Sequence, residues 1–298
     1  MAALTGKVAL VTGSSRGIGA AIATLFAREG AKVVVHGRDR AALAEVAAAI
    51  ERNEGSVMQV AGDVTTSADL DVMRADIERT FGPVEVLVVN AGGSPTRPGP
   101  LESITQEGWR AAIDANLTAT FLTIKCFLSG MKGRRSGNII TMSSAAARRP
   151  HPQSPVPYAA AKAGIQMMTQ HLAAQVGPFG IRVNCLAPET ILTKTNEASI
   201  PDEMKKSLVE MHPIRRLGTP DDVARAAVFL ASDASAWDHR ADHRRRGWRG
   251  DGLTPRGRRA DGGPWQAVDD LQADQTADQV QDPRVVSQRT HLETHRDA

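Results

Sequence analysis

The sequence predicts a single α/β domain in which helices cover both faces of a doubly wound, Rossmann-type parallel sheet. Over residues 1–237, short apolar runs alternate with helical patterns in a repeating βαβ order. The apolar runs are continuous, which is typical of strands that are covered on both faces. A glycine-rich turn between the first strand and the first helix supplies the strand–turn–helix unit with which such sheets commonly begin.

Six strands and six helices follow one another along this part of the chain. The predicted strands are Val8–Val11, Lys32–Val35, Val57–Ala61, Val84–Asn90, Asn138–Met142 and Ile181–Leu186. The predicted helices are Ile18–Arg28, Arg40–Glu51, Ala68–Thr80, Gly108–Met131, Pro157–Val176 and Asp221–Ala231. Since right-handed crossovers join parallel strands, the carboxyl ends of the strands share one edge of the sheet, and a ligand is expected there.

Composition limits the classes of function. The chain has 298 residues and is 42% hydrophobic but only 4% aromatic, so its core is built from aliphatic residues. A net charge of +3, without a basic cluster before residue 238, argues against nucleic acid as a partner. The two cysteines, Cys126 and Cys185, have no metal-like spacing and suit a reducing compartment, so no metal is expected. Without a targeting segment or a membrane span, we expect a cytoplasmic protein that has no membrane partner.

The turn after the first strand reads TGSSRGIG over residues 12–19. Its glycines allow a tight turn and a close approach of the backbone to a pyrophosphate, which the N-terminus of the next helix stabilises. The spacing G-x-x-x-G-x-G differs from the general dinucleotide fingerprint, so the prediction depends on the position of the turn between strand and helix. We expect the dinucleotide to contact Gly13, Ser15, Arg16, Gly17, Ile18 and Gly19.

The end of the second strand predicts which dinucleotide is bound. An acidic residue there would bind the adenosine ribose, whereas a basic residue would accept a 2′-phosphate. Gly37 stands where the acid is expected and Arg38 follows it, with Arg16 as a second cation nearby. Asp39 is the alternative acid, but its place just before a helical run is that of an N-cap. Because guanidinium–phosphate pairs are strong, the sequence favours NADP(H) over NAD(H).

Tyr158 and Lys162 form the candidate catalytic pair. They lie four residues apart in a predicted helix, which places both side chains on one face. A lysine beside a phenol favours the phenolate and lowers a pKa that is ordinarily about 10, so that the phenol can act as a general acid and base near neutral pH. Alone, this spacing is weak evidence, since an ordinary helix often carries a half-buried tyrosine and a surface lysine.

Further polar residues are predicted at the same edge of the sheet. Ser143 and Ser144 end the fifth strand, and the run 90–92 ends the fourth. Asn116 lies in the helix that follows the fourth strand. Side chains from four parts of the chain therefore converge where the fold predicts a site.

These motifs follow the order of one enzyme family. They are TGSSRGIG, GDV at 62–64, NAG at 90–92, DANL around Asn116, the serine pair, YAAAK at 158–162 and PIRRLGTPDDVA at 213–224. Over residues 4–237 the chain resembles the classical short-chain dehydrogenase/reductase family, and it is most similar to 3-oxoacyl-[acyl-carrier-protein] reductases. The resemblance implies an NADP(H)-dependent oxidoreductase that interconverts a ketone and a secondary alcohol by hydride transfer.

The resemblance also implies roles for individual residues. Tyr158 would donate a proton to the carbonyl oxygen, Lys162 would hold the nicotinamide ribose and lower the tyrosine pKa, and Ser144 would hydrogen-bond the substrate oxygen. Asn116 would anchor a water molecule in a proton relay. The remaining expected cofactor contacts are Arg38, Asp63, Val64, Asn90, Ala91, Gly92, Pro188 and Thr193.

Two departures from the family pattern leave alternatives open. The interval between Ser144 and Tyr158 is about one residue longer than the family pattern and carries a proline-rich insert at 149–155. Ser143 is therefore the alternative to Ser144. Glu189 stands where the family usually has the glycine after Pro188, and it is either a turn residue or a handle on a polar substrate.

The sequence leaves the substrate class open. Residues 189–211 are expected to form a lid that carries Ile191, Leu192, Met204, Leu208 and Met211. Alcohol, sugar and steroid dehydrogenases share every motif named above. A catalytically idle, nucleotide-binding sensor or scaffold is the alternative of another class. The resemblance further implies a homodimer or a homotetramer, with the helices 108–131 and 157–176 at one interface.

The sequence changes character at Asp238. Residues 238–298 contain no Ile, Phe, Met, Lys, Asn, Tyr or Cys, and eleven arginines are balanced by eleven acidic residues. Disorder is therefore expected, rather than a basic tail that binds a partner. Read one base later, the possible codons of 238–254 permit ITGPIIVDVGGAVM, one further residue and a stop, which resembles the last strand of the family. We interpret this tail as frameshifted and expect loss of that strand to damage the tetramer.

Overall fold

The computed structural model describes residues 2–150, 154–239 and 242–243. Parallel strands form one sheet in the order β3-β2-β1-β4-β5-β6-β7. The strands are β1 Val8–Val11, β2 Lys32–Gly37, β3 Val57–Ala61, β4 Val86–Val89, β5 Gly137–Met142, β6 Ile181–Leu186 and β7 Asp242–His243. The predicted doubly wound sheet is confirmed. Its strand order reverses between β1 and β4, which places the ligand crevice at their carboxyl ends.

Helices cover both faces of the sheet. They are α1 Gly17–Arg28, α2 Arg40–Glu51, α3 Ser67–Thr80, α4 Gln106–Ile113, α5 Ala119–Arg134, α6 Val156–Val176, α7 Lys194–Ser199, α8 Asp202–Met211 and α9 Pro220–Ala231. On one face, Ile22 and Phe26 of α1 pack with Leu230 of α9 against the strands. On the other face, Ile77 of α3 and Met131 of α5 are buried in a second apolar cluster. The sheet is thus buried on both sides, as its continuous apolar runs predict.

The predicted helix Gly108–Met131 is wrong in one respect, because a π-helical turn interrupts it at Asp114–Thr118. Asn116 lies in this turn and is fully buried. Its amide donates to the carbonyl oxygen of Ala112, four residues earlier, over 2.9 Å. That carbonyl would ordinarily pair with the backbone N–H of Asn116, so the side chain competes with the helical ladder and widens the turn. The spacing of apolar residues in a sequence does not reveal that a side chain will compete with the backbone for a helical carbonyl.

The helical run Gln106–Arg134 is long and apolar enough to cross a membrane, although the sequence predicts no membrane span. Within it, Phe127 and Met131 are buried against the sheet. Length and apolar composition are shared by membrane spans and by helices that pack in protein cores. The packing of α5 on the sheet is that of a core helix.

The chain after α9 runs along the free edge of β6. The Asn184 amide donates to the carbonyl of Asp238 over 2.9 Å, and the backbone N–H of Val183 donates to Nδ1 of His239 over 3.2 Å. The two residues of β7 then pair with the end of β6. We expected no strand beyond β6. The short strand β7 shows that this expectation is wrong in part. The rest of the predicted tail, 240–241 and 244–298, lies outside the described residues.

Candidate functional site

Glycines at the turn after β1 allow the backbone to approach the end of β4 closely. Gly13 and Gly17 have φ angles of 65° and 57°, in the left-handed region. A Cβ atom at Gly13 would lie 2.8 Å from the Cα of Ala91, and one at Gly19 would lie 2.6 Å from Nδ2 of Asn90. The turn therefore forms a cradle that side chains would fill, directly before the N-terminus of α1. This geometry fits a pyrophosphate.

Asn90 and Thr12 tie this turn to the end of β4. The Asn90 amide donates to the carbonyls of Thr12 and Gly13, both over 3.0 Å. Thr12 Oγ1 accepts from the backbone N–H groups of Asn90 and Ala91, both over 3.1 Å. Thr12 is fully buried, and the sequence reasoning missed its part in the site. The available signal was a polar residue directly after a buried apolar strand.

His36 supports the same turn from the end of β2. Its Nδ1 accepts a hydrogen bond from the backbone N–H of Gly13 over 3.3 Å, and the backbone N–H of His36 donates to Oγ of Ser14 over 2.9 Å. Burial lowers the pKa of His36, which favours the neutral ring. A neutral ring keeps Nδ1 available as an acceptor.

The end of β2 presents the residues that were expected to select the cofactor. Arg38 is exposed. Asp39 is confirmed as an N-cap, because its Oδ1 accepts from the N–H of Ala42 over 3.1 Å. Its other oxygen lies 2.7 Å from Nη2 of Arg16. Asp39 therefore offsets the charge of Arg16, and the role of Arg16 as a second cation for the cofactor stays a prediction. A Cβ atom at Gly37 would lie 3.1 Å from Ser15 Oγ, so a side chain there would be crowded.

A cavity of about 540 Å³ opens at the carboxyl ends of the strands. Predicted site residues that line it are Gly13, Arg16, Ile18, Gly19, Asn90, Gly92, Ser144, Tyr158, Lys162, Pro188 and Thr193. Predicted residues that lie outside its lining are Ser15, Gly17, Arg38, Asp63, Val64, Ala91 and Asn116. Ser154, Asn196 and Ile200 also line it, and no pattern in the sequence identified them. Among the described residues, no cluster of His, Cys, Asp and Glu could hold a metal ion.

The two serines after β5 differ in their surroundings. Ser143 is buried, and its hydroxyl donates to the carbonyl of Lys162 over 2.8 Å. Ser144 lines the cavity together with Tyr158, and its hydroxyl acts to lower the pKa of that phenol. Ser144 Oγ also accepts from the N–H of Ala146 over 3.2 Å. Of the two candidates, Ser144 is therefore the one that the fold brings to Tyr158.

Burial dominates the electrostatics of the tyrosine–lysine pair. It raises the pKa of Tyr158, and the hydrogen bond from Ser144 opposes this shift. It lowers the pKa of Lys162 to about 8. The Lys162 ammonium lies 5.6 Å from the centre of the Tyr158 ring and donates to the carbonyl of Met142 over 2.9 Å. The pKa of Tyr158 is therefore raised, not lowered as expected, because burial outweighs the stabilisation of the phenolate while the lysine bonds to backbone.

Gly92 separates Asn116 from Lys162. A Cβ atom at Gly92 would lie 2.6 Å from Oδ1 of Asn116 and 3.4 Å from Nζ of Lys162. The Asn116 side chain is held by Gly93, donating to its carbonyl over 2.7 Å and accepting from its N–H over 3.2 Å. Asn116 thus fixes the loop after β4 beside the buried ammonium.

Asp63 and Val64 lie in the loop after β3. Asp63 Oδ1 accepts from both the N–H and the hydroxyl of Thr65, over 2.9 Å and 2.8 Å, and these bonds hold the pKa of Asp63 below its ordinary value. The charge of Arg38 acts in the same direction. Val64 is buried in the core. An ionised acceptor thus stands beside the exposed arginine.

The segment that was predicted as a lid contains α7 and α8. Three of its expected apolar side chains, Ile191, Met204 and Leu208, line the cavity. Met211 does not line it and is 56% exposed. Glu189, at the start of the segment, also lines the cavity, and its carboxylate lies 2.9 Å from the guanidinium of Arg149. This segment therefore contributes an apolar wall and one acidic side chain to the cavity.

Comparisons with known proteins cover most of the chain. A family described as enoyl-(acyl carrier protein) reductase matches residues 13–238. Glucose 1-dehydrogenase 2 of Bacillus subtilis is 37% identical over 236 residues, which is 78% of this chain and 91% of that protein. D-threitol dehydrogenase of Mycolicibacterium smegmatis is 35% identical over 80% of this chain and 91% of its own. The crystal structure of 3-oxoacyl-[acyl-carrier protein] reductase from Brucella melitensis has a TM-score of 0.75 and 34% identity, covering 80% and 89%.

Proposed function

The chain belongs to the classical short-chain dehydrogenase/reductase family, and we propose that it interconverts a ketone and a secondary alcohol with NADP(H). That it is an oxidoreductase acting on CH–OH groups with NAD(P) follows from the family match and the relatives. One observation carries the finer proposal: Ser144, Tyr158 and the buried Lys162 line the same cavity, which begins at the glycine turn, with the Lys162 ammonium 5.6 Å from the centre of the Tyr158 ring.

The residues of the cavity suit the parts of a dinucleotide. The turn at 13–19 would hold the pyrophosphate, and the run 90–92 would border the adenosine ribose. Lys162 would hold the nicotinamide ribose, and Pro188 with Thr193 would contact the nicotinamide. Asp63 and Val64 would flank the adenine. When bound, the cofactor supplies or accepts the hydride.

The tyrosine supplies the proton. Because burial raises the Tyr158 pKa, the phenol is protonated at neutral pH and can donate to the carbonyl oxygen of a ketone. The Ser144 hydroxyl would donate a hydrogen bond to the same oxygen and so orient it. Lys162 is cationic below pH 8, and its charge stabilises the phenolate that remains. Asn116 would anchor a water molecule that continues a proton relay towards this lysine.

Three features support NADP(H) over NAD(H). Arg38 is exposed at the end of β2, where the 2′-phosphate of the adenosine ribose would lie. Position 37 is a glycine with little room for an acidic side chain. The nearby acids already have partners, because Asp39 caps α2 and pairs with Arg16 and Asp63 accepts two hydrogen bonds from Thr65.

Two substrate classes fit the cavity. A 3-oxoacyl thioester suits the apolar wall of Ile200, Met204 and Leu208, and it is the substrate class named by the Brucella melitensis structure. A sugar- or polyol-derived ketone suits the charged position at Glu189, and two relatives are named for glucose and threitol. The motifs alone separate neither class from the alcohol and steroid dehydrogenases.

We also propose that the protein is a homo-oligomer in the cytoplasm. Phe121 of α5 and Met167 of α6 are 48% and 54% exposed, and a groove of about 420 Å³ lies between these helices. Exposed apolar side chains beside such a groove are typical of contact surfaces between subunits. Cys126 and Cys185 are both free thiols, which suits a reducing compartment.

Steady-state reduction of a 3-oxobutanoyl thioester, followed with NADPH and separately with NADH, tests the proposed function. We expect turnover whose kcat/KM is at least about tenfold higher with NADPH, a difference of about 1.4 kcal/mol. Higher kcat/KM with NADH would overturn the cofactor assignment. Tight NADPH binding without turnover of any ketone would instead support the alternative of an idle nucleotide-binding sensor.

A further inference from the structure

Glu189 places a carboxylate in the wall of the cavity that Ser144, Tyr158 and Lys162 also line. The carbonyl of Pro188, the preceding residue, accepts from the N–H of Ala145 over 3.0 Å. Ala145 in turn follows Ser144, which lines the cavity together with Tyr158. The loop after β6 is therefore attached to the loop after β5 at the point where the substrate oxygen would bind, and Glu189 is the next residue along.

An ion pair holds this carboxylate in place. Glu189 Oε2 lies 2.9 Å from Nη2 of Arg149, and the two side chains are 23% and 50% exposed. Glu189 lines the cavity, whereas Arg149 does not. Arg149 therefore contacts the carboxylate from outside the lining, and Glu189 remains in the wall as a hydrogen-bond acceptor.

We propose that Glu189, positioned by Arg149, selects substrates that carry a neutral hydroxyl group next to the reacting carbonyl, as ketones derived from sugars and polyols do. A hydroxyl can donate to the carboxylate, whereas a methyl or methylene group in the same place cannot. This inference rests on the proposed ketone–alcohol activity and chooses between its two substrate classes.

The charge of the pair disfavours an anionic group and an apolar group at this position. A substrate carboxylate would meet the like charge of Glu189 and would have to displace it from Arg149. An apolar chain beside Glu189 would remove water from a charged oxygen without replacing its hydrogen bond, which is unfavourable. A neutral hydroxyl satisfies Glu189 and leaves the ion pair intact, and it is the group that the site accommodates best.

The test uses two ketones of nearly equal size. Dihydroxyacetone and pentan-3-one differ in that hydroxyl groups replace methyl groups on both sides of the carbonyl. The ratio of their kcat/KM values with NADPH is measured for the wild type, for Glu189→Gln, for Glu189→Gly and for the control Glu197→Gln. Because the ketones differ in intrinsic reactivity, the informative quantity is the change in this ratio between variants. Glu197 is an exposed carboxylate of α7 that does not line the cavity.

We expect the ratio to fall about tenfold or more in Glu189→Gly, since a hydrogen bond to a charged group is lost. Glu189→Gln should cause a smaller fall, and Glu197→Gln should leave the ratio unchanged. The absolute kcat/KM for pentan-3-one should stay level or rise in the Glu189 variants. That result would separate lost selectivity from lost activity.

Two results would overturn the inference. One of them leaves the proposed ketone–alcohol activity intact, and the other overturns that activity as well. If the ratio is the same in all four proteins while both ketones are reduced, Glu189 is a turn residue and the proposed activity stands. If NADPH binds but neither ketone nor the 3-oxobutanoyl thioester is reduced, the proposed activity and the inference fall together.

Discussion

Replacing Asp39 with asparagine should tighten the binding of NADPH, because it releases Arg16 without uncapping α2. Asparagine is as good an N-cap as aspartate, so the bond to the N–H of Ala42 can persist. The ion pair that is lost joins side chains that are 65% and 48% exposed. Solvent screens such a pair, and its loss costs at most about 1 kcal/mol. The melting temperature should therefore change little.

The gain in binding free energy comes from the 2′-phosphate of the cofactor. A freed guanidinium can make a charge-assisted contact with the 2′-phosphate, and a screened contact of this kind is worth about 1 kcal/mol. The NADPH dissociation constant should then fall about fivefold, since 1.4 kcal/mol corresponds to a factor of ten. NADH lacks this phosphate, so its dissociation constant should not fall.

Fluorescence titration with each dinucleotide measures this change. Asp221→Asn is the matched control, because Asp221 also lies in the first turn of a helix and pairs with an exposed arginine, Arg225. The control should alter neither dissociation constant, and added salt should reduce the gain of Asp39→Asn. Equal tightening of NADH, or weaker NADPH binding in Asp39→Asn, would refute the reasoning.

Three further predictions concern Arg38, Lys162 and the tail. Arg38→Ala should weaken NADPH binding about tenfold in the same titration and spare NADH, whereas Arg40→Ala, a nearby exposed cation, should change neither. Since burial lowers the pKa of Lys162 to about 8, its ammonium is lost as the pH rises through that value. The kcat/KM for ketone reduction should fall above it, and a profile that stays flat to about pH 9 would argue against this role. We propose that residues 238–298 are frameshifted. Restoring the frame after Trp237 should then raise the melting temperature by about 5 °C or more and favour a tetramer in light scattering, because a full strand would cover β6. An unchanged melting temperature, or an uninterrupted frame on sequencing the gene, would contradict it.

The sheet and the meeting of the polar residues were predictable because both depend on local pattern and topology. Strands buried on both faces are continuous apolar runs, so the first six strands were located to within about two residues. Ser144 follows β5 and the run 90–92 follows β4, so parallel strands alone bring them to one edge. The N-cap role of Asp39 was likewise visible in the sequence.

What could not be predicted depends on contacts between distant segments. The ion pair of Arg16 with Asp39 joins two loops, and its formation depends on the geometry of the closed turn. The direction of the Tyr158 pKa shift depends on how deeply the phenol is buried and on which acceptor the Lys162 ammonium meets. The π-helical turn depends on one amide that reaches back to its own helix. Beyond Trp237 the sequence has no periodic pattern from which strands or helices could be predicted.

Tyr158→Phe tests the central claim most directly, because it removes one hydroxyl and keeps the packing of the ring. The measurement compares kcat/KM for NADPH-dependent ketone reduction in the wild type and the variant, with the NADPH dissociation constant measured on the same samples. The account predicts that kcat/KM falls at least about a hundredfold, as expected for loss of a general acid, while NADPH binding changes less than about twofold. A variant that reduces the ketone at the wild-type rate would show that Tyr158 is not the proton donor.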